Sequence, residues 1–154
     1  MSAFVELLGP ELLSTSGRSV STAAALEGKA AVALYFSAHW CPPCRGFTPK
    51  LAEWYQKDLK AKGLEVVFIS SDKEEGAFKE YFSQMPWLAL PYKERELKES
   101  LGGQFRVRGI PTLIILDEEA NVIRKDGREA VSDDPTGEEF PWTPDPGECN
   151  CTVL

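Results

Sequence analysis

Histidine is nearly absent: His39 is the only one in 154 residues. Structural zinc takes four ligands, usually as two paired sets, so a histidine-rich metal centre is excluded. Positive charge is also scarce. The chain has 17 Lys and Arg against 24 Asp and Glu, a net charge of −7, and a pI near 4.8. No basic stripe is available to neutralise phosphates, which argues against nucleic-acid binding. No apolar run approaches the ~20 residues that a spanning helix needs. Met1 to Leu13 lacks a basic n-region and a long apolar stretch, so a secretory signal is not expected. Cysteine is limited to four residues, Cys41, Cys44, Cys149 and Cys151. Without a leader these point to a reducing compartment, the cytoplasm by default and the nucleus as the alternative, where a close pair is catalytic more often than structural. The remaining composition, 43% hydrophobic and 27% charged, is that of an ordinary globular domain.

What is present is organised around Phe36-Ser37-Ala38-His39-Trp40-Cys41-Pro42-Pro43-Cys44-Arg45. Apolar, β-rich residues precede this run. A helical pattern follows it, with Phe47, Leu51, Trp54, Tyr55 and Leu59 on one face. Two cysteines two residues apart at a strand-to-helix junction suit dithiol–disulfide exchange. The first thiol then lies at a helix N-terminus, where unpaired N–H groups and the helix dipole favour an anion. Sites of this type bring a thiol from roughly 8.5 towards about 7 or below, and Cys41 is the expected nucleophile. Pro42 and Pro43 suit a first helical turn, having no N–H to leave unpaired. They also withdraw donors from the thiolate, which predicts a reducing rather than a strongly oxidising couple. Cys44, one turn on, is expected to be less exposed than Cys41 and to act as the resolving thiol. The competing reading is half of a zinc site with His39 as third ligand. Cys149 and Cys151 lie far off in an acidic, proline-rich stretch, so redox chemistry is the stronger reading.

Along the chain, Ala3 to Leu8 reads as a helix and Leu12 to Val20 as a hairpin or edge strand. Ser21 or Thr22 caps a short turn through Leu26. Lys29 to Ser37 and Leu64 to Ser70 are continuous apolar runs, as in strands buried on both faces of a parallel sheet. Between them a helix runs to about Lys62, and Pro49 should kink it or restart it with Thr48 as N-cap. Ser71-Asp72 is expected to cap a helix from about Glu74 to Ser83. Arg95 to Leu101 reads as a helix stopped by Gly102-Gly103. Thr112 to Asp117 and Asn121 to Lys125 form a hairpin, Asp126-Gly127 a turn, and the chain from Pro141 should not pack. A β-α-β unit, right-handed by rule, followed by a hairpin gives an α/β fold: a mixed central sheet with helices on both faces, the thioredoxin-like architecture.

In that architecture Ile110-Pro111 would face the dithiol as a cis peptide, leaving the Ile110 backbone to pair with an extended substrate segment. Alone, Pro111 would read as an ordinary strand-opening proline. Trp40 offers an apolar wall for substrate, with core packing as its other reading. Arg45 could lower the thiol pKa by proximity or simply be a solvated helix residue. Asp72 and Glu74 are weak candidates for proton transfer, and helix capping explains Asp72 equally well.

Trp40-Cys41-Pro42-Pro43-Cys44-Arg45 with Phe47-Thr48-Pro49 resembles the tryparedoxin/nucleoredoxin branch of the thioredoxin superfamily. So do Met85-Pro86-Trp87-Leu88-Ala89-Leu90-Pro91, Ile110-Pro111-Thr112-Leu113 and Phe140-Pro141-Trp142. The resemblance covers nearly all of residues 1–144, nucleoredoxin being the nearer match. Animal nucleoredoxins carry several such domains, whereas one domain is the tryparedoxin layout. The resemblance implies protein-disulfide reductase activity through Cys41 and Cys44 in redox homeostasis. Substrate contacts would come from Trp40, Pro42, Pro43, Ile110 and Pro111, with Arg45 as a weak pKa-tuning residue. It implies no tightly bound cofactor and no metal, with electrons drawn from NADPH through a reductase or a low-molecular-weight thiol. The partners implied are disulfide-containing proteins, a peroxiredoxin in the tryparedoxin case, and the protein is expected to be a monomer. The alternative is a redox-sensing adaptor that binds a signalling protein such as Dishevelled, as nucleoredoxin does. Thioredoxins carry a buried Asp in the strand before the dithiol. Tyr35 takes that place here, so no carboxylate is assigned as base.

Residues 145–154 read as a flexible acidic tail ending Cys149-Asn150-Cys151-Thr152-Val153-Leu154. The last four residues fit the C-a-a-X pattern for geranylgeranylation of Cys151. One prenyl chain binds membranes only marginally, so Cys149 would supply a second, palmitoyl, anchor. A chance cysteine pair or a second redox couple is the other reading.

Overall fold

The computed structural model describes residues 3–143. Its centre is a seven-stranded sheet in the order β2-β1-β5-β4-β3-β6-β7. The strands are β1 (Glu11–Leu13), β2 (Ser19–Ser21), β3 (Ala31–Ser37), β4 (Leu64–Ser70), β5 (Leu88–Ala89), β6 (Thr112–Asp117) and β7 (Val122–Arg124). Helices α1 (Ala3–Leu8), α2 (Thr22–Leu26), α3 (Pro42–Trp54), α4 (Lys60–Lys62), α5 (Glu75–Phe82), α6 (Arg95–Gln104) and α7 (Gly127–Asp133) complete it. β3 runs parallel to β4 and antiparallel to β6, which is the mixed sheet expected from a β-α-β unit followed by a hairpin.

Every residue of β3 and β4 is buried, because the sheet is covered on both faces. Side chains alternate across a strand. Ala31, Ala33 and Tyr35 therefore join one core with Phe47 and Leu51 of α3, Phe78 and Tyr81 of α5, and Val131 of α7. Val32, Leu34 and Phe36 join the other with Phe4 and Leu8 of α1, Leu26 of α2 and Leu101 of α6. The dithiol turn thus follows directly from β3, an interior strand paired on both sides, with β4 and β6.

Several local expectations are corrected. The helix after the dithiol does not restart at Pro49: α3 runs through it to Trp54. Pro49 and Arg45 are both exposed, so water can take the carbonyl that the missing amide leaves free. Irregularity comes later, in a π turn at Tyr55–Leu59 before α4. Thr48 is no cap; it is buried, and its Oγ1 donates to Cys44 O at 2.9 Å. Gly102-Gly103 does not stop α6, which continues to Gln104. Asp126-Gly127 is the start of α7 rather than a turn. A Cβ on Gly127 would collide with the Leu113 carbonyl, so the close packing of α7 on β6 requires glycine there.

The chain also keeps packing beyond Pro141. Trp142 is buried in the α3 core, and its Nε1 donates to Asp134 Oδ2 at 3.0 Å. The readings placed on Cys149 and Cys151, and on the tail from residue 145, lie outside the described residues.

Candidate active site

The dithiol stands where β3 hands over to α3. Cys41 is the N-cap of α3, with Pro42 and Pro43 filling the first two helical positions. Those prolines have no amide, so Cys44 supplies the first N–H of the helix. It donates to Cys41 Sγ at 3.3 Å. The prolines are exposed, and both cysteines are free thiols. On its other side Cys41 Sγ lies 3.7 Å from Ile110 O, across the cis Ile110–Pro111 peptide. That carbonyl helps to cover the sulfur. Cys41 is 5% exposed and Cys44 fully buried. The order of exposure is as expected, but an openly accessible first thiol is not found.

Behind Cys44 is a wall of hydroxyl groups. Thr48 Oγ1 contacts Tyr35 OH and Tyr81 OH, each at 2.6 Å, and Tyr81 OH contacts Ser37 Oγ at 2.8 Å. Thr48 has one proton and gives it to Cys44 O, so both tyrosines must donate to Thr48. Tyr81 then accepts from Ser37. Tyr35 is buried in β3, the strand before the dithiol, and among the described residues no carboxylate joins this hydrogen-bonded chain.

These groups keep their protons tightly. Burial, reinforced by the hydrogen bond with Cys41, pushes the Cys44 thiol up to about 11 from an ordinary 9.0. Burial likewise pushes up Tyr35, with Tyr81 adding to it, as well as Tyr81 itself and Tyr55, where Glu65 adds to it. Each group holds its proton more firmly folded than unfolded. The stability this contributes is complete below the unfolded value near 9 and is lost as pH climbs towards 11 and beyond. Urea unfolding midpoints should therefore be level between about pH 7 and 9 and fall clearly by about pH 10.5. A profile flat to about pH 10.5 would contradict the burial of this cluster.

Trp40 is 53% exposed, which rules out core packing and leaves it as a wall beside the dithiol. Its Nε1 donates to Ser71 O at 2.9 Å. Asp72 is not a helix cap, since Glu74 occupies the N-cap of α5. Buried instead, Asp72 accepts from His39 N–H at 2.8 Å and from Ser70 Oγ at 2.6 Å. It therefore ties the end of β4 to the residues just before Cys41. Arg45 is exposed and forms no ion pair among the described residues.

Two supports carried no signal in the sequence. Tyr92 OH donates to Asp72 O at 2.9 Å, and Arg95, stacked on the Tyr92 ring, donates from Nη1 to Ser70 O at 2.9 Å. Both come from the segment after β5, remote in sequence. Arg128 of α7 was missed as well; its Nη1 donates to Pro111 O at 3.1 Å. Beside Ile110, a hollow of about 450 Å³ is lined by Trp40, Ser71, Lys98 and Arg108 among others. Among the described residues no group of three or more His, Cys, Asp or Glu side chains is placed to hold a metal ion.

The thioredoxin-like family model matches residues 28–122. Human nucleoredoxin is 45% identical over 144 residues, covering 93% of this chain and 33% of its own. The chain thus spans about a third of the length of that relative. Tryparedoxin of Trypanosoma brucei brucei is 50% identical over 132 residues, covering 85% of this chain and 90% of its own. The solved structure of tryparedoxin from Trypanosoma brucei superimposes with a TM-score of 0.86 at 48% identity, over 94% of this chain and all of that one.

Proposed function

Because the chain belongs to the thioredoxin-like family, we propose that it is a protein-disulfide reductase working through Cys41 and Cys44. The observation that carries this reading is the reduced pair itself, with Cys44 N–H directed at Cys41 Sγ and the Ile110 carbonyl beside that sulfur. The Cys41 sulfur attacks one sulfur of a substrate disulfide. A Cys41–substrate disulfide forms, the substrate S–S bond breaks, and the other substrate sulfur leaves as a thiolate. Cys44 then loses its proton, for which that departing thiolate is an acceptor, and attacks Cys41 Sγ. The Cys41–Cys44 disulfide forms and the second substrate thiol is released, two electrons having passed to the substrate.

Several residues near the pair have a part in this scheme. Trp40 and the exposed faces of Pro42 and Pro43 border the approach. Ile110, ahead of Pro111, offers its backbone to an extended substrate segment. The high Cys44 pKa keeps that thiol protonated until Cys41 has been engaged. Restoring the dithiol takes two electrons, drawn in this proposal from NADPH through a reductase or from a low-molecular-weight thiol.

The test is to express Cys44→Ser in cells and identify the proteins held on Cys41 as mixed disulfides. A dominant peroxiredoxin adduct would assign an antioxidant electron carrier. Adducts with signalling proteins would favour the redox-sensing adaptor. No adduct, together with wild-type protein inert towards insulin disulfides, would overturn the reductase reading.

A further inference from the structure

Around Ile110–Pro111 the local charge runs against that of the whole chain. Acids outnumber bases by 24 to 17, yet the groove beyond Pro111, about 430 Å³, is lined by Arg106, Arg108, Lys125 and Arg128 and by no carboxylate. All four cations are exposed. Arg128 is engaged with Pro111 O, whereas Arg106, Arg108 and Lys125 make no ion pair among the described residues. Asp126, Glu129 and Asp133 border an adjoining hollow that shares Lys125 and Arg128, and Glu99, paired with Lys98 at 3.1 Å, borders another that shares Arg108. Of these, Asp126 is already bound by Arg124 through two contacts of 2.7 Å.

The loop that presents these cations is closely defined. Val107 N–H bonds Gly102 O at 2.8 Å and closes the end of α6. Arg106 sits there at φ 55, in the left-handed region. Glycine is the usual occupant of such a helix-closing position, so an arginine is held where a glycine would sit with less strain. The same loop continues through Gly109 to Ile110, whose carbonyl is 3.7 Å from Cys41 Sγ. This groove is one of two hollows open to a chain with its disulfide over Cys41 that follows the turn past Pro111, and it is the one free of carboxylates.

We propose that the groove is a docking subsite for an acidic stretch of polypeptide flanking the substrate disulfide, a specificity element that rests on the reductase reading. Carboxylates spaced along an extended segment would meet Arg106, Arg108 and Lys125. These exposed charges act over roughly a Debye length, about 8–10 Å at physiological salt, so they steer encounter and set KM without entering the chemical step. An acidic segment would be repelled by the rest of this surface, which leaves the groove as its favoured landing place. A nucleic acid would need cations along a longer track than three side chains supply.

Three synthetic disulfide-bridged peptides, identical except for flanking Asp/Glu, Ser or Lys residues, test this. Wild-type protein should reduce the acidic peptide with kcat/KM about tenfold above the neutral one at low salt, through KM, and the gap should shrink in high salt. The triple variant Arg106→Gly, Arg108→Gln, Lys125→Gln should lose the preference while reducing hydroxyethyl disulfide at the wild-type rate. Arg108→Glu with Lys125→Glu should turn the preference towards the Lys-flanked peptide. Equal rates on all three peptides, a preference that survives the triple variant, or a parallel loss on hydroxyethyl disulfide would each overturn the subsite. Wild-type protein inert towards every disulfide offered would remove the reductase reading, and the subsite with it.

Discussion

Cys41→Ser should lower disulfide-reduction turnover by about 1,000-fold or more, because a serine hydroxyl cannot replace a thiolate as the entering nucleophile. Cys44→Ser should lose turnover comparably yet still form one mixed disulfide per chain, which Cys41→Ser should not. The asymmetry follows from burial and proton affinity. Cys44 is fully buried and its thiol is raised to about 11. At neutral pH its thiolate is then roughly one part in 10,000, against a few per cent for an ordinary thiol. Cys41 keeps a slight exposure, with its Sγ 3.7 Å from Ile110 O. Cys44 can therefore enter only as the second nucleophile, when Cys41 Sγ is already within its reach. Single-turnover assays with gel-resolved adducts read both results. If Cys41→Ser retained a tenth of wild-type activity, or trapped substrate as well as Cys44→Ser does, the order of attack would be wrong.

Trp87→Ala should cost about 3–5 kcal/mol of stability, the usual range for emptying a large aromatic site in a core. For a chain of this size that is roughly a 10 °C fall in Tm or more. Trp87 is 1% exposed and stands between Tyr35 and Tyr55, its ring at 87° to each with centroids 6.0 and 5.6 Å away. It thereby braces Tyr35, whose hydroxyl belongs to the wall behind Cys44. Its Nε1 has no acceptor among the described residues, so Trp87→Phe surrenders volume but no hydrogen bond and should cost about half as much or less. Thermal melts of the two variants separate the contributions. A loss in the Phe variant equal to that in the Ala variant would mean that the indole's role is polar, contrary to this account.

The dithiol region was legible because its information is local. Two cysteines at helical spacing, prolines at the first helical positions, and an apolar strand run before them act through neighbours in sequence. β4 likewise spans Leu64–Ser70 as the apolar run predicts. Where a neighbour in sequence competed with a neighbour in space, sequence reasoning failed. Gly102-Gly103 reads as a stop, but Leu101 and Phe105, buried on either side, hold α6 against the sheet. Asp126-Gly127 reads as a turn, but the close approach of α7 to Leu113 makes glycine a packing requirement. Thr48 reads as a cap until Tyr35 and Tyr81 arrive from other elements to share its oxygen.

The amino-acid sequence by itself determined the strand–dithiol–helix unit, the central strands and the family to which the chain belongs, because backbone propensity and hydrophobic period are written along the chain. Only the tertiary structure decided that Asp72 anchors the turn before Cys41, that Tyr92 and Arg95 brace it, and that Trp142 closes the core. It alone gathered cations from α6's closing loop, β7's end and α7 beside Pro111. These depend on groups far apart in sequence meeting in one place, and burial, which sets their hydrogen bonds and proton affinities, exists only once the sheet and its two helical layers have closed around them.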